Sequence, residues 1–432
     1  MINPPGKNPT KREISVCSEF GAKNAFRLMP EGRIDERPLS EPGSDDLDVV
    51  VFQAGQNLDF AETFDQLPPR LWASARAGRG KVVFDASSEG RMHDPRTTDQ
   101  LHALLRRAGV PLEQGVYLTQ NRPYAQDYAV SCDSNGIAER MKIVVYDYWI
   151  RRVLSEYEGR GEKIFRRRLA NFHRRKVSRS RRFVSLNFTP RSSKLIFLTR
   201  IMKEGLWDLG FISFGGFEQM ARRKGKSFDR IKLAFLQAPG FEDQTPALAP
   251  FLDDLAARGR ILLGDVPNRR AYDEIMRAAT LPEYDETWFS AVTETEMVDR
   301  PCRITEKVLK PLLNFHPLIV FGNPASLKLI SDLGFVTFPE LVDERYDDEF
   351  LAPRRFELAF EQLRRLCRMD EHELARLSAS VDEKLKFNAE WGLTKLPQKF
   401  ATEIDEAFLT EVLEPAGANS WVQARAAAPA RL

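Results

Sequence analysis

The chain has 432 residues, a length that suits two domains of about 150–200 residues each. Hydrophobic residues make up 43% and charged residues 29%, as in soluble globular proteins, and no apolar run is long enough for a transmembrane helix. The N-terminal sequence lacks the apolar core of a secretory signal, so we expect a cytoplasmic protein. The four cysteines stand singly, which argues against a zinc ribbon or a disulfide framework.

Residues 1–47 are rich in Pro, Gly, Ser and charge, which predicts a loose N-terminal arm. After them, apolar runs closed by turn residues predict buried parallel strands. These strands are predicted at 47–52, 80–85, 115–119 and 142–147. A helical pattern at 97–108 separates the second from the third. This alternation predicts a Rossmann-like domain over residues 48–158.

Positive charge is concentrated in the next segment. The net charge of the chain is +2, yet residues 160–182 contain eleven Lys or Arg and one acid, and the rest of the chain is net acidic. We interpret residues 159–182 as an inter-domain segment, for which three roles are open: a solvated linker helix, a peripheral contact with an anionic surface such as the inner membrane, or a nucleic-acid site. In the third role Phe165, Phe172 and His173 would stack on bases. Nucleic acid is the least favoured partner because the charge is local.

A second set of alternating elements predicts another doubly wound domain over residues 183–350. Its strands are predicted at 183–187, 230–236, 260–264, 288–293, 317–322 and 335–338. Its helices are predicted at 193–204, 272–279, 306–313 and 326–333. Amphipathic helices follow at 352–366 and 371–387 within the region 351–415, and they either dock on the first domain or form a dimer. The tail, residues 416–432, is predicted to be disordered.

We therefore predict an α/β protein with two Rossmann-like doubly wound domains facing a cleft, followed by C-terminal helices. Ligands of such sheets bind at the carboxyl ends of the strands. The strand predicted at 288–293 is followed by Glu294, and a helix begins at Thr305-Glu306-Lys307. Thr305 is a candidate N-cap, and the free N–H groups of the helix start together with Lys307 suit a diphosphate. Glu306 is an anion and suits a ribose hydroxyl instead.

Two further strand ends carry candidate residues. The strand at 183–187 ends in Asn187, and the loop after it contains Arg191 and Lys194, which suit phosphate at a helix start. The strand at 317–322 runs through a tight turn into a helix, a unit found in nucleotide-binding folds. Its candidate residues, with the aromatic residue that follows, are His316, Gly322, Asn323 and Tyr346.

The order of these motifs resembles the donor-binding half of the fucosyltransferase-like glycosyltransferases of the GT-B fold. The resemblance covers residues 183–347 and depends on the strand ending in Asn187, on Thr-Glu-Thr at 293–295, on Ile-Thr-Glu-Lys at 304–307 and on Gly-Asn-Pro at 322–324. The same run is similar to a group of uncharacterised bacterial and phage glycosyltransferases.

The resemblance implies transfer of a sugar, with inversion, from a nucleoside diphosphate sugar, and it implies that the domain over residues 48–158 faces the acceptor. It implies that Lys307 holds the diphosphate, that Glu306 binds the ribose or the sugar, and that Arg191 or Lys194 neutralises phosphate. Glu294 matches a carboxylate that faces the donor. The Asn that follows this carboxylate in the family is Thr295 here, so fucose is not implied.

The chemistry of such a transfer needs cations for the leaving diphosphate and a base for the acceptor hydroxyl. No Asp-x-Asp motif follows a strand, so we expect a metal-independent enzyme with no cofactor beyond the nucleotide sugar. Our candidate base is Glu89, in a loop after the strand at 80–85, with Asp85 and His93 as alternatives. The acceptor is a glycan, a lipid-linked molecule or a protein. Two other hypotheses are a nucleic-acid-binding or modifying protein that uses residues 160–182, and a GT-B-shaped binding protein without catalysis.

Overall fold

The computed structural model describes residues 13–18, 25–39, 47–54, 64, 67–175, 178–218, 225, 227–263 and 281–414. The helix predicted at 272–279 and the tail predicted at 416–432 lie outside these residues. The chain divides into two compact units. Unit one comprises Met1–Arg152 and Gln398–Leu432, and unit two comprises Val153–Pro397. None of the described helices is long and apolar enough to cross a membrane.

The described strands form two parallel sheets, which confirms the predicted α/β class. The strands are β1 Ile14–Ser18, β2 Ile34–Pro38, β3 Val49–Gln53, β4 Lys81–Asp85, β5 Gly115–Thr119, β6 Lys142–Val145, β7 Phe183–Asn187, β8 Gly210–Phe214, β9 Phe289–Thr293 and β10 Leu318–Phe321.

The described α-helices lie between and after these strands. They are α1 Ala73–Arg76, α2 Pro95–Arg107, α3 Tyr124–Ser134, α4 Tyr148–Leu154, α5 Gly161–Phe172, α6 Ser192–Lys203, α7 Phe228–Leu236, α8 Ala249–Arg258, α9 Glu306–Leu313, α10 Ser326–Asp332, α11 Ala352–Arg368, α12 Glu371–Ala379, α13 Asp382–Glu390, α14 Leu396–Lys399 and α15 Asp405–Leu413. The single helix predicted at 371–387 is thus two helices, α12 and α13.

Unit one contains a six-stranded sheet in the order β2-β1-β3-β4-β5-β6. Its central strands are apolar on both faces, as expected for a parallel sheet covered on both sides. Along β4, Val82 and Phe84 belong to one core cluster and Val83 to the other. The second cluster also contains residues of α15, namely Phe408, Leu409 and Val412. The last described helix therefore covers one face of the first sheet, whereas the two helices predicted at 352–366 and 371–387 belong to unit two.

The predicted loose arm contains two strands of this sheet. β1 lies between β2 and β3, and Val16 and Cys17 are fully buried. The carboxylate of Asp85 also accepts a 2.6 Å hydrogen bond from the backbone N–H of Ala25, which holds the turn after β1. The prediction missed these strands because their pairing partners lie far along the chain and their own sequence is rich in polar residues.

Unit two contains a four-stranded sheet in the order β10-β9-β7-β8. The strand predicted at 230–236 is wrong, because these residues belong to helix α7. The alternation of Ile231, Leu233 and Phe235 suggested a strand, but the Ser227 hydroxyl caps the helix by accepting the N–H of Arg230. Ile231 and Phe235 are then buried one turn apart, whereas Leu233 is exposed.

Other elements of unit two also differ from prediction. The strand β8 was missed because its short apolar run has no long flanking pattern. The predicted strand at 260–264 is reduced to one antiparallel bridge between Ile261 and Phe214, with residue 264 outside the described residues. Residues 335–338 form no strand. Their backbone hydrogen bonds go instead to side chains of Asn388 and Glu344.

The basic segment belongs to unit two rather than to a linker. Helix α5 packs on unit two through Phe165 and Phe172, whose rings stack on Phe315. Arg175 donates hydrogen bonds to the backbone carbonyls of Asn314 and Phe315, just before β10. The segment therefore lies at the amino ends of the strands, the sheet edge opposite to that where ligands of such folds bind.

Candidate active site

The strand order of unit two defines one switch point at the carboxyl edge of its sheet. β7 and β9 are neighbours, but the strand that follows β7 lies on one side of the pair and the strand that follows β9 lies on the other. Helices α6 and α9 therefore leave in opposite directions, and their N-termini border a crevice. Asn187 ends β7 and Glu294 follows β9, so both lie at this switch point.

Asn187 joins the ends of the two strands. Its Oδ1 accepts a 2.6 Å hydrogen bond from the hydroxyl of Thr293, and its Nδ2 donates a 3.0 Å hydrogen bond to Oγ of Ser185. The Asn187 side chain is 1% exposed. It therefore holds β7 and β9 in register at the floor of the crevice.

The buried carboxylate of Glu294 holds the start of α9. Its Oε1 accepts the N–H of Thr305 at 2.9 Å, and its Oε2 accepts the hydroxyl of Thr305 at 2.7 Å. The N–H of Thr295 donates to the same Oε2 at 3.2 Å. Because these protein donors occupy both oxygens, the geometry assigns Glu294 to positioning the Thr305 cap.

Lys307 lies in the first turn of α9 and points back toward the strand ends. Its Nζ donates hydrogen bonds to Oγ1 of Thr305 at 2.8 Å and to Oγ1 of Thr295 at 3.1 Å. It also lies 3.4 Å from Oε1 of Glu306 and 3.8 Å from Oε2 of Glu294. Burial by itself raises the pKa of the Glu306 carboxyl, but Lys307 and then Lys310 outweigh it and lower the pKa to about 2. Glu306 is therefore ionised at neutral pH.

Lys194 lies in the first turn of α6 and is 4% exposed. Within the described part of the chain its amine has no hydrogen-bond or ion-pair partner. Burial, and then the charges of Lys307 and Arg191, lower the pKa of this amine to about 7 against the opposing charges of Glu306 and Glu294. Arg191 occupies the N-cap position of α6 and is partly exposed. The crevice thus brings three cationic side chains together, one of them buried without a partner.

The turn after β10 is occupied by a side chain of the protein. Oδ2 of Asp347 accepts the N–H groups of Leu327 and Lys328 at 2.9 and 3.2 Å, so a carboxylate fills the start of α10. Burial raises the pKa of Asp347 to about 6, and its Oδ1 is buried without a partner among the described residues. A phosphate would need the N–H groups that Asp347 already binds, so this strand–turn–helix unit is closed to it.

The other candidates near β10 support the fold. Oδ1 of Asn323 accepts the N–H of Val298, and the hydroxyl oxygen of Tyr346 accepts the N–H of Val320. A Cβ on Gly322 would lie 3.1 Å from Cγ of Glu294, so the close approach of the two strand ends favours glycine. These contacts are packing and hydrogen bonds within the protein.

His316 is a buried structural residue. Its Nε2 donates to the carbonyl of Thr287 at 2.8 Å, and its Nδ1 then accepts the hydroxyl of Ser290 at 2.7 Å. The ring is fully buried, and burial lowers its pKa well below the usual range. The imidazole is therefore neutral and joins the starts of β9 and β10, away from the carboxyl edge.

The candidates of unit one follow strand β4. Asp85 accepts the N–H of Ala25 and both the N–H and the hydroxyl of Ser87, so its carboxylate is fully engaged, and burial raises its pKa. His93 shares a 2.9 Å hydrogen bond with the Thr98 hydroxyl, and burial lowers its pKa. Glu89 is partly exposed, and its carboxylate has no hydrogen bond or ion pair within the described residues. Of the three, Glu89 is the one whose side chain has no hydrogen bond or ion pair among the described residues.

Sequence reasoning missed two arginines near the strand ends. Arg355 of α11 is 1% exposed and donates hydrogen bonds to four backbone carbonyls, those of Gly322, Glu349, Phe350 and Val298. Arg122 forms a bidentate pair with Asp147 at 2.7 and 2.6 Å, between the loops after β5 and β6. Single arginines in loops and helices leave no local pattern, so no sequence signal marked them.

Among the described residues no group of three or more His, Cys, Asp or Glu side chains could hold a metal ion. A crystal structure of alpha,alpha-trehalose 6-phosphate synthase from Burkholderia multivorans resembles this chain, with 11% sequence identity and a TM-score of 0.42. The match covers 86% of this chain and 73% of that one. No protein-family model matches the chain, and no curated protein matches it. The identity and the TM-score are too low to indicate an activity, so the residues of the site carry the functional argument.

Proposed function

We propose that the chain is a glycosyltransferase that binds the diphosphate of a nucleotide sugar at the switch point of unit two. The observation that carries the proposal is Lys194, a residue only 4% exposed whose amine has no hydrogen-bond or ion-pair partner among the described residues and lies near Lys307 and Arg191. A buried cation without compensation is costly to the folded protein. An anionic ligand removes this cost, and the N-termini of α6 and α9 add donors suited to phosphate.

The same groups suit the chemistry of transfer. The acceptor oxygen bonds to the anomeric carbon as the bond from that carbon to the diphosphate oxygen breaks, and the diphosphate leaves with the bonding electrons. Lys194, Lys307 and Arg191 stabilise the negative charge that develops on it. The proton of the acceptor hydroxyl passes to a base, for which Glu89 is our candidate. The ionised Glu306 accepts a hydrogen bond from a ribose or sugar hydroxyl.

The sugar specificity and the stereochemistry belong to the proposal as well. The motif likeness to fucosyltransferase-like enzymes supports inversion of the anomeric centre. Thr295, which stands where that family has Asn, donates no side-chain amide, and its Oγ1 is engaged by Lys307. We therefore propose a hexosyl or fucosyl donor and name neither the sugar nor the base.

Binding of nucleoside diphosphates tests the donor site. We expect GDP, UDP or ADP to bind the wild type, and a ligand at 100 times its Kd to stabilise the fold by about 2.7 kcal/mol. Lys307→Met is expected to weaken this binding at least tenfold. Lys203→Met, an exposed lysine at the other end of α6, is the matched control and keeps wild-type affinity. No binding of any diphosphate, or equal loss in both variants, would remove the proposal.

The rival hypotheses differ in readouts that accompany this test. Phe165 and Phe172 stack on Phe315 inside unit two, so these two rings are not available to stack on nucleic-acid bases. A binding protein without catalysis would retain diphosphate affinity yet release no nucleoside diphosphate from any sugar donor. Steady release in the presence of an acceptor is therefore the outcome expected for the enzyme.

A further inference from the structure

We propose that binding of the diphosphate is coupled to uptake of a proton by the Lys194 amine, so that the site binds its ligand more weakly as the solution becomes alkaline. This inference rests on the proposed function, because it concerns the same ligand and the same crevice. It predicts that the diphosphate affinity of the site depends on pH and assigns that dependence to one side chain.

The surroundings of Lys194 make it the group that titrates. The residue is 4% exposed, and its amine has no hydrogen-bond or ion-pair partner among the described residues. Lys307 differs, because two threonine hydroxyls and the Glu306 carboxylate surround its ammonium. Arg191 differs too, because a guanidinium stays protonated throughout the physiological range. Among these three basic side chains, Lys194 therefore has the fewest interactions that stabilise its protonated form.

The charges that act on Lys194 come from both sides of the crevice. Lys307 and Arg191 oppose its protonation, and Glu306 and Glu294 favour it. Helices α7 and α8 also pack on α6, and their Lys232 and Asp253 pair with each other at 2.7 Å. Helix α11 contacts the other end of α6, where Arg200 pairs with Glu357 and Arg364 pairs with Glu204, both at 3.1 Å. The remaining charged residues of α7 and α8 are exposed; they are Asp229, Arg230, Asp254 and Arg258. The guanidinium of Arg258 also lies over the ring of Trp207. The turn Thr245–Leu248, also packed on α6, has no charged residue.

The sign of the coupling follows from these charges. Burial and the two neighbouring cations lower the pKa of the free Lys194 amine to about 7. A diphosphate brings negative charge next to the amine and raises its pKa in the complex. Between the two pKa values binding takes up as much as one proton, and Kd rises by up to about tenfold per pH unit. Below the lower pKa this amine adds no pH dependence.

Calorimetry with inorganic pyrophosphate and with the nucleoside diphosphates that bind gives the test. Titrations at pH 8 in two buffers of different ionisation enthalpy yield the number of protons taken up. We expect the wild type to take up a proton beyond what the ligand itself exchanges. Lys194→Arg is expected to bind without that uptake, since a guanidinium remains charged, and Lys194→Met to bind weakly at every pH. Lys203→Met is the control and behaves as the wild type.

The outcomes separate this inference from the function on which it rests. Diphosphate binding with equal proton exchange in the wild type and in Lys194→Arg overturns the coupling and leaves the donor site in place. No diphosphate binding at any pH overturns both. The wild-type measurement stands by itself, so a variant that fails to fold leaves a decisive result: binding with a Kd that does not rise above pH 7 contradicts the proposal.

Discussion

Buried carboxylates in this chain bind backbone N–H groups at the starts of turns and helices. Asp85 holds the turn at Ala25, Glu294 holds the Thr305 cap, and Asp347 fills the start of α10. Asp85 is the last residue of β4, Glu294 directly follows β9, and Asp347 lies within the turn Glu344–Asp348. The sequence does not show which carboxylates accept hydrogen bonds from the protein, because the donor groups lie 11 to 60 residues away in the chain.

Glu89, in the loop after β4, differs from these carboxylates because it is partly exposed and has no partner among the described residues. Its substitution tests the predicted base. We expect Glu89→Gln to lower the turnover number at least tenfold, since a positioned base contributes about 10²–10⁴-fold. Diphosphate affinity should be unchanged. Turnover at several pH values and calorimetry with the nucleoside diphosphate measure the two effects. Glu113→Gln, an exchange elsewhere in unit one, is the control, and unchanged turnover in Glu89→Gln would exclude this base.

The raised pKa of Asp347, about 6, predicts a pH dependence of stability. Between its unfolded pKa near 3.8 and the folded value, the folded chain binds more protons than the unfolded chain, so the contribution of Asp347 is lost as pH rises through this window. At about 1.4 kcal/mol per pKa unit the loss reaches about 3 kcal/mol. Urea unfolding at pH 4, 5, 6 and 7 measures it. Asp347→Asn should flatten this part of the profile, and an unchanged slope would contradict the assignment.

Among the elements, helix α5 shows how a charged segment becomes part of a core. Its inner face carries Phe165, Phe172 and the buried Arg168, whose guanidinium donates to the carbonyl of Leu313 at 2.8 Å. Its outer face carries exposed basic residues, as the charge run suggests. The spacing of apolar residues indicated an amphipathic helix. It did not indicate the surface on which the helix packs, because that surface, the segment before β10, is more than 140 residues away in the chain.

The packing of α5 on the segment Trp391–Lys395 depends on Gly161. A Cβ at this position would overlap the backbone carbonyl of Leu393, which has no freedom to rotate away. We expect Gly161→Ala to destabilise unit two by about 1–3 kcal/mol, the usual cost of overpacking. Lys163→Ala, an exposed change in the same helix, should alter stability by less than about 0.5 kcal/mol. Urea unfolding of both variants gives the comparison, and equal midpoints would show that the backbone shifts at little cost.

At the scale of the whole molecule, the chain leaves unit one at Arg152 and returns to it at Gln398. The return is secured by α15. Asp405 accepts hydrogen bonds from Arg151 at 2.8 Å and from the Tyr146 hydroxyl at 2.9 Å, and these groups are almost fully buried. Glu406 adds a bidentate pair with Arg33. Unit one is therefore completed by residues more than 250 positions after its last strand.

Asp405→Asn tests whether unit one depends on this return. Removal of one charge leaves Arg151 buried beside an amide, and we expect a loss of about 3–5 kcal/mol in the free energy of unfolding of unit one. Glu403→Gln, a change of an exposed acid two residues earlier, is the control and should have little effect. Hydrogen exchange in β3 to β6 measures the loss. Unchanged protection of these strands would show that unit one is stable without the pair.

Some features of this protein follow from the sequence alone. Apolar runs determined the central strands β3 to β7, β9 and β10. The Thr305 cap determined the start of α9, and the amphipathic pattern determined α11, because these signals act over a few neighbouring residues. The same sequence patterns predicted that four site residues lie at strand ends and helix starts, namely Asn187, Lys194, Glu294 and Lys307. The switch point of a parallel sheet then brings them to one crevice.

The tertiary structure decided the rest, because it depends on contacts between residues distant in the chain. It turned residues 14–18 into an inner strand by pairing them with β3, and it made residues 228–236 a helix by burying Ile231 and Phe235. It closed the start of α10 with Asp347 and left the Lys194 amine without a partner among the described residues. A side chain's identity sets which bonds it can form, but only the packed fold decides which partners reach it.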